Sequence, residues 1–259
     1  MKLTLLQIDA FTDKVFGGNP AAVCPLDDWL SDEVLQKIAA ENNLSETAFF
    51  VKKNEAYELR WFTPKVEVDL CGHATLASAF VLFNYMKVDE DLLKFITQSG
   101  IVTAKREKDY IALDFPAWMP EKIDPPADLL KGLGLKPVEV LKTRDILAVY
   151  ENVQQILNLN PNHDHLMKLD ELCIIATAPG DDCDFVSRVF VPKVGIPEDP
   201  VTGSAHSSLI PYWAEKLNKL TLSAMQLSKR RGHLKCKLLG DRVKIAGKCA
   251  TYLEGYIHI

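Results

Sequence analysis

The chain has 259 residues and a mass of 29.0 kDa, with 47% hydrophobic and 25% charged residues, a composition that excludes disordered and collagen-like proteins. Its length allows one large domain or two of ordinary size. The net charge of −5 argues against a polyanion-binding protein, so no nucleic-acid partner is expected.

The amino terminus predicts a cytoplasmic protein, because one lysine is followed by an alternating apolar pattern and by no signal-peptide core. The longest apolar-rich stretch, Ala74 to Phe83, is shorter than the roughly 18 residues of a membrane helix, so no membrane association is expected. Six cysteines without a C-x-x-C pair predict neither disulfides nor structural zinc.

Hydrophobic periodicity divides the first part of the chain into strands and two helices. The second helix is apolar on nearly every side, which predicts that it is buried with a sheet curled around it. The predicted strands are Leu3–Phe11, Thr47–Lys53, Tyr57–Phe62 and Tyr110–Phe115, and the helices are Ser31–Asn42 and His73–Met86.

The stretch Pro116–Pro126 contains four prolines and is predicted to be a linker. We therefore predict two domains, 1–117 and 118–259, with the last strand able to return to the first. Beyond the linker the predicted strands are Val138–Tyr150, Leu172–Thr177, Asp184–Val191, Thr221–Ser228, Leu234–Leu238 and Val243–Ala246, and the helices are Val153–Leu157 and Ser204–Leu217.

The two halves share a sequence pattern of strand, Pro-Lys-Val turn, glycine and apolar helix. Phe62, Pro64, Lys65 and Val66 match Phe190, Pro192, Lys193 and Val194 at one offset, 190 − 62 = 128. This repeat favours an internal duplication. The fold class predicted is α+β, with two pseudo-symmetric halves that face one another across a cleft.

In each half a glycine precedes the predicted helix, Gly72 in the first and Gly203 with Ser204 in the second. The first N–H groups of a helix have no partner within it and attract a carboxylate or a phosphate. Two such helix starts would bind an acid. The alternative is that the small residues only allow close helix packing.

Three other polar residues are candidates for acid–base chemistry. Glu46 lies between Leu44 and an apolar strand, where it either faces solvent or is partly desolvated as a general acid or base requires. Asp199 precedes a proline close to the second helix start, and is otherwise a turn residue. His73 stands at the first helix start, where it could shuttle a proton or act only as a cap.

Further clusters are given structural interpretations. His163-Asp164-His165 lacks a third metal ligand at useful spacing and is interpreted as a solvated turn, so no metal is predicted. The basic cluster between Lys229 and Lys237 is interpreted as the exposed face of a hairpin. The segment from Phe16 to Pro20 is interpreted as a turn, because it lacks the dinucleotide fingerprint.

Four motifs together resemble the PhzF-like (phenazine biosynthesis) family, whose fold is that of diaminopimelate epimerase. They are IDAFTDKVFGGNPAAVC, NLSETAFF, FTPKVEVDLCGHATLASA and GIPEDPVTGSAH, in this order over residues 8 to 206. The resemblance implies two similar halves, each a sheet around a central helix, with the active site between them.

By this resemblance Glu46 corresponds to the proton-transferring glutamate of the family, and His73 and Asp199 to polar residues that hold the substrate. Ser45, Gly72, Gly203 and Ser204 resemble the carboxylate-binding positions. The reaction implied is a proton shift between ring carbons of a dihydro-hydroxyanthranilic acid, with no metal and no organic cofactor.

The chain departs from diaminopimelate epimerase, in which two opposed cysteines act as base and acid. Cys71 occupies the first of these positions, but Thr202 occupies the second. Thr202 is instead expected to bind the substrate. A threonine hydroxyl does not ionise near neutral pH, so a two-thiol racemisation is disfavoured. One carboxylate on one face of the substrate predicts a suprafacial shift.

The sequence therefore predicts a cytoplasmic, cofactor-independent isomerase of a small carboxylate-bearing substrate, with Glu46 as the acid/base. One alternative is an amino-acid or hydroxy-acid racemase or epimerase, which needs a second acid/base, either His73 or Cys71. Another is a non-catalytic protein that binds a small acid or serves as a scaffold. The family resemblance also implies a homodimer.

Overall fold

The computed structural model describes residues 1–259, which form two compact units. The first unit comprises Met1–Phe115 together with Ile245–Ile259, and the second comprises Pro116–Lys244. No helix in the chain is both long enough and apolar enough to cross a membrane. The predicted domain division at residue 117 stays a prediction.

The first unit contains eight main strands, one short strand and two helices. In chain order the elements are β1 (Lys2–Ala10), β2 (Asn19–Leu26), α1 (Asp32–Asn42), β3 (Glu46–Lys53), β4 (Ala56–Phe62), β5 (Glu67–Val68), α2 (Gly72–Asn84), β6 (Leu92–Thr97), β7 (Gly100–Glu107), β8 (Tyr110–Pro116) and, after the second unit, β18 (Cys249–His258).

The strands of this unit form a mixed sheet in the order β18-β1-β2-β3-β4-β6-β7-β8. The β2/β3 and β4/β6 pairs are parallel, the other neighbours are antiparallel, and β5 adds to the end of β4. Helix α2 packs against β1, β2, β3, β7 and β18, and all of its residues except Phe80 and Asn84 are buried. The predicted arrangement of a sheet around an apolar helix is confirmed.

The second unit contains four helices and the remaining strands, the last of which, β17, continues into the first unit from Ile245. They are β9 (Glu121–Lys122), α3 (Ala127–Leu133), β10 (Glu139–Lys142), β11 (Ile146–Val149), α4 (Val153–Asn158), α5 (His163–Leu166), β12 (Ile174–Pro179), β13 (Phe185–Val191), a 3-10 turn (Pro192–Val194), β14 (Ile196–Asp199), α6 (His206–Leu217), β15 (Thr221–Gln226), β16 (Gly232–Leu239) and β17 (Arg242–Gly247).

The sheet of the second unit repeats the pairing pattern of the first. Its order is β9-β10-β11-β12-β13-β15-β16, with β11/β12 and β13/β15 parallel, the other neighbours antiparallel, and β14 added to β13. In each unit the long buried helix, α2 or α6, follows the short added strand. The two units therefore have the same topology, as the repeated strand–loop–helix order predicts.

Helix α6 is anchored to the sheet of its own unit by two aromatic residues. Trp213 stacks on Phe185 of β13 and donates a 2.9 Å hydrogen bond from Nε1 to Thr177 Oγ1 of β12. The hydroxyl of Tyr212 donates to Glu139 Oε1 of β10. These contacts fix the position of the helix and, with it, of the turn that precedes it.

Two predicted elements differ from the structure. The strand predicted over residues 138–150 is two strands, β10 and β11, separated by a turn in which Thr143 N–H donates to the carbonyl of Asp145. The helix predicted from Ser204 begins only at His206, because residues 203–205 form a tight turn closed by His206 N–H on the Gly203 carbonyl.

Candidate functional site

The first unit brings Glu46 and His73 together from separate elements. Glu46 is the first residue of β3, and His73 lies in the first turn of α2, where the packing of this helix against β3 brings the two side chains into contact. Glu46 Oε2 and His73 Nε2 are 3.1 Å apart, and their side chains are only 14% and 4% exposed. The sequence predicted both residues but not this contact.

Neither of these two atoms has an aligned hydrogen-bond partner, although both are buried. Buried polar atoms nearly always have partners, so an unpartnered pair is unusual in a folded protein. The carboxylate oxygen and the imidazole nitrogen face one another at 3.1 Å without an aligned hydrogen bond. This is the geometry expected of a site that acts on a ligand.

Asn19 fixes the orientation of the His73 ring from the opposite side. Its Nδ2 lies 3.1 Å from His73 Nδ1, and because an amide nitrogen can only donate, the ring hydrogen of the neutral imidazole lies on Nε2, facing Glu46. Asn19 is fully buried at the start of β2. Gly18 before it has φ 59°, and a Cβ there would collide with the carbonyl of Ala10.

Cys71, the N-cap residue of α2, is a neutral thiol at neutral pH. Burial, with a smaller contribution from Glu46, raises the pKa of Cys71 to about 11. Its Sγ lies 3.5 Å from His73 Nδ1. A thiol with this pKa is almost wholly protonated near pH 7.

His73 experiences opposing effects on its pKa. Burial lowers the pKa, whereas the Cys71 sulfur and the Glu46 carboxylate raise it, and the net pKa lies well above the usual 6.5. Glu46 acts through its negative charge and its 3.1 Å contact with Nε2. Nε2 carries a hydrogen in either protonation state, in the neutral ring because Asn19 Nδ2 donates to Nδ1 and in the charged ring because both nitrogens are protonated.

The three groups could also hold a metal ion. One ligand atom each from Glu46, Cys71 and His73 lies within 4.8 Å of the others, and oxygen, sulfur and nitrogen together suit zinc. Binding would require loss of the Cys71 proton. The predicted absence of a metal stays a prediction.

The start of α2 presents backbone donors beside this pair. Gly72 is the first residue of the helix, and the N–H groups of Gly72 and His73 have no intrahelical acceptor. Ser45, predicted to bind a carboxylate, directly precedes Glu46 and is half-buried. The predicted substrate-binding positions of the first unit thus adjoin its acid/base pair along the chain.

The predicted residues of the second unit form a separate buried cluster. Thr202 Oγ1 donates a 2.5 Å hydrogen bond to Asp199 Oδ2, and both side chains are about nine-tenths buried. Gly203 and Ser204 follow in the turn before α6 rather than in its first turn. This turn, like the start of α2, has backbone N–H groups that make no hydrogen bond within the helix.

Two residues that the sequence did not predict hold this cluster. Gln226 at the end of β15 contacts both Asp199 and Thr202, and His206 Nδ1 donates a 2.9 Å hydrogen bond to the carbonyl of Thr202. Both side chains are fully buried. Gln226 follows Leu222 and Ala224 on the buried face of β15, and a polar residue in that register is the sequence signal that could have indicated such a role.

Burial lowers the pKa of His206 from 6.5 to about 4. The unfolded chain therefore gains a proton at this residue below pH 6.5 that the folded protein does not bind until about pH 4. Stability falls as the pH drops through this window, and the contribution of one such histidine is about 3 kcal/mol.

We expect the wild type to lose about 3 kcal/mol more unfolding free energy than His206→Asn between pH 6.5 and pH 4. Asparagine retains a donor for the Thr202 carbonyl but does not titrate, so the difference isolates the imidazole. Urea unfolding at both pH values measures it. Equal losses in the two proteins would show that His206 is protonated in the folded state.

Sequence comparison identifies relatives over the whole chain. The family model PhzC-PhzF, described as phenazine biosynthesis-like protein, matches residues 8–255. A protein of Pseudomonas aeruginosa named as an uncharacterized isomerase is 53% identical over 259 residues, with 100% of both chains covered.

Structural comparison gives the same result. The crystal structure of a PhzF-family phenazine biosynthesis protein from Enterococcus faecalis is similar with a TM-score of 0.97, 48% identity and complete coverage of both chains. A hydroxyproline epimerase from Agrobacterium vitis shares the fold alone, at a TM-score of 0.66 and 11% identity, over 99% of this chain and 92% of that one.

Proposed function

Because the chain belongs to the PhzC-PhzF family of phenazine biosynthesis-like proteins, we propose that it is an isomerase that moves a proton on a small carboxylate-bearing substrate. The observation that carries the proposal is the buried, unpartnered pair of Glu46 Oε2 and His73 Nε2 at 3.1 Å. The isomerase name of the Pseudomonas aeruginosa relative supports the reaction class.

Glu46 performs both proton transfers in this mechanism. Its carboxylate takes a proton from a carbon of the substrate, so that the C–H bond breaks and an O–H bond forms while the electron pair shifts into the conjugated system. The same carboxyl group returns the proton to another carbon, and the double bond moves. No net oxidation or reduction occurs, and one group serves as base and then as acid.

His73 controls the state of Glu46 between the two transfers. With its ring hydrogen on Nε2, it can donate to the carboxylate while Glu46 is charged and keep that oxygen oriented. Burial of the pair excludes water, which would otherwise exchange the abstracted proton. We therefore expect partial retention of the original proton in the product.

The carboxylate of the substrate is assigned to the backbone donors at the start of α2. The N–H groups of Gly72 and His73 carry the positive end of the helix dipole, which favours an anion. The roles of Asp199, Thr202, Gly203 and Ser204 in holding the substrate remain part of the proposal. A racemase would need a second acid/base, and the thiol of Cys71, with its pKa of about 11, does not suit that role.

The proposal is tested by incubation in heavy water with a panel of small unsaturated, dihydroaromatic and α-amino acids. Proton NMR follows the double-bond position and the deuterium content of each product. We expect a double-bond shift with partial retention of protium, unchanged by EDTA because no step uses a metal. Inversion at an α-carbon without a double-bond shift would contradict the proposal and favour the racemase.

A non-catalytic protein would give a different pattern. Acids of the panel would raise the melting temperature, no product would form, and Glu46→Gln would leave this stabilisation unchanged. Such a result would replace the isomerase by a small-acid-binding protein.

A further inference from the structure

Gln226 is a fully buried residue at the end of strand β15. All three hydrogen bonds of its side-chain amide go to Asp199 and Thr202, in the segment before α6. Gln226 Oε1 accepts a 2.8 Å hydrogen bond from Thr202 N–H, and Nε2 donates to the Asp199 carbonyl at 2.8 Å and to Thr202 Oγ1 at 3.2 Å. The residue is 0% exposed.

These bonds determine where the Asp199 carboxylate points. Thr202 Oγ1 donates to Asp199 Oδ2, so the orientation of the carboxylate depends on the placement of Thr202. Thr202 is in turn held at its N–H by Gln226 and at its carbonyl by His206. Without the amide, only the His206 bond would fix the backbone of Thr202.

The strand itself does not require an amide at this position. The backbone of Gln226 pairs with Gly232 and with Ser187 in the sheet, as any residue would. A buried amide has a desolvation cost unless it is hydrogen-bonded, and a buried strand position is ordinarily apolar. The side-chain amide of Gln226 therefore serves to hold the segment from Asp199 to Thr202, and the sheet does not need it.

We propose that Gln226 is a positioning residue for the reaction, acting through Thr202 on the Asp199 carboxylate. It makes no transfer itself and needs no contact with the substrate. This inference rests on the proposed function in so far as Asp199 takes part in the reaction, but the state of the turn can be measured without any substrate.

The first experiment measures hydrogen exchange of the Thr202 amide by NMR in the wild type and in Gln226→Met. Methionine has a similar length but cannot accept the Thr202 hydrogen bond, and we expect exchange to be at least about tenfold faster. Tyr150→Phe is the matched control, because it removes a buried hydroxyl of the same unit whose hydrogen bond goes to the Leu135 carbonyl and not to the turn.

The second experiment compares the kinetics of the same variants on the panel acid that is turned over best. Displacement of a group that aligns the reactants costs on the order of 10²-fold in rate, so Gln226→Met should lose kcat/KM by that factor. The loss should be in kcat more than in KM, whereas Tyr150→Phe should retain wild-type kcat/KM.

Gln226→Glu provides a rescue that a purely structural role would not show. A charged carboxylate can still accept from Thr202 N–H but cannot donate to the Asp199 carbonyl, and protonation restores a donor. Relative to the wild type, kcat/KM of this variant should therefore increase as the pH falls. This variant also keeps the test available if Gln226→Met does not fold.

Unchanged Thr202 exchange in Gln226→Met would overturn the proposal. Faster exchange with a kcat/KM equal to that of Tyr150→Phe would also overturn it, because the amide would then only stabilise the turn. Failure of the proposed function would look different: Glu46→Gln would leave the panel reaction intact, while Thr202 exchange would still report on Gln226.

Discussion

Glu46→Gln lowers kcat/KM for the proton shift by about 10²- to 10⁴-fold, the range that a positioned general acid/base contributes. The amide keeps the size of the side chain but cannot take a proton from carbon. Because the side chain is only 14% exposed and adjoins the buried His73 ring, we expect little change in fold. Proton NMR of the panel reaction in heavy water measures the loss.

The matched control is Glu55→Gln, the same substitution at an exposed turn between β3 and β4. It should retain wild-type activity. If Glu46→Gln kept more than about a tenth of the wild-type kcat/KM, the loss would lie below the range for acid–base catalysis and another group would be the base. The melting temperature of each variant shows whether a loss of activity reflects a loss of structure.

Arg188→Met should lower the free energy of unfolding by about 3 kcal/mol, since removal of one partner leaves a buried charge without its counterion. Arg188 on β13 donates to both oxygens of Glu198 on β14, at 2.7 and 2.9 Å. It also donates to the carbonyls of Ile156 and Leu159 at the end of α4. Its side chain is 14% exposed.

Urea unfolding measures this effect, with Lys37→Met as the control. Lys37 pairs with Glu33 on the surface of α1, where both side chains are more than 70% exposed, and its loss should leave the free energy of unfolding nearly unchanged. Adding Glu198→Leu to Arg188→Met should recover part of the stability, because it removes the unpaired charge. A loss no larger than that of Lys37→Met would mean that the ion pair contributes no more than a surface pair.

Strands with a long alternating pattern could be predicted from the sequence, whereas several others could not. β4 alternates between half-buried and buried residues because one side of it packs on the core, whereas β3 is buried on both faces from Thr47 to Val51. β18 interrupts its pattern with Glu254-Gly255 and is defined by its pairing with β1, at the other end of the chain. The strand propensity of a few neighbouring residues carries no information on pairing between the two ends of the chain.

The candidate site was predicted in part for the same reason. Glu46, His73 and Asp199 could be identified from motifs, because motifs are local in sequence. Asn19 was interpreted as part of a turn, and its role follows only from the packing of β2 beside α2, which brings it to the His73 ring. Gln226 is 24 residues from Thr202, and only the fold brings them together.

The sequence by itself determined the family, the repeated topology and the residue types available for proton transfer, because hydrophobic periodicity and short motifs are properties of neighbouring residues. The tertiary structure alone decided which of these residues meet, the 3.1 Å approach of Glu46 to His73 and the neutral state of the Cys71 thiol. Distances and desolvation depend on groups far apart in the chain, and the chemistry of the site depends on both.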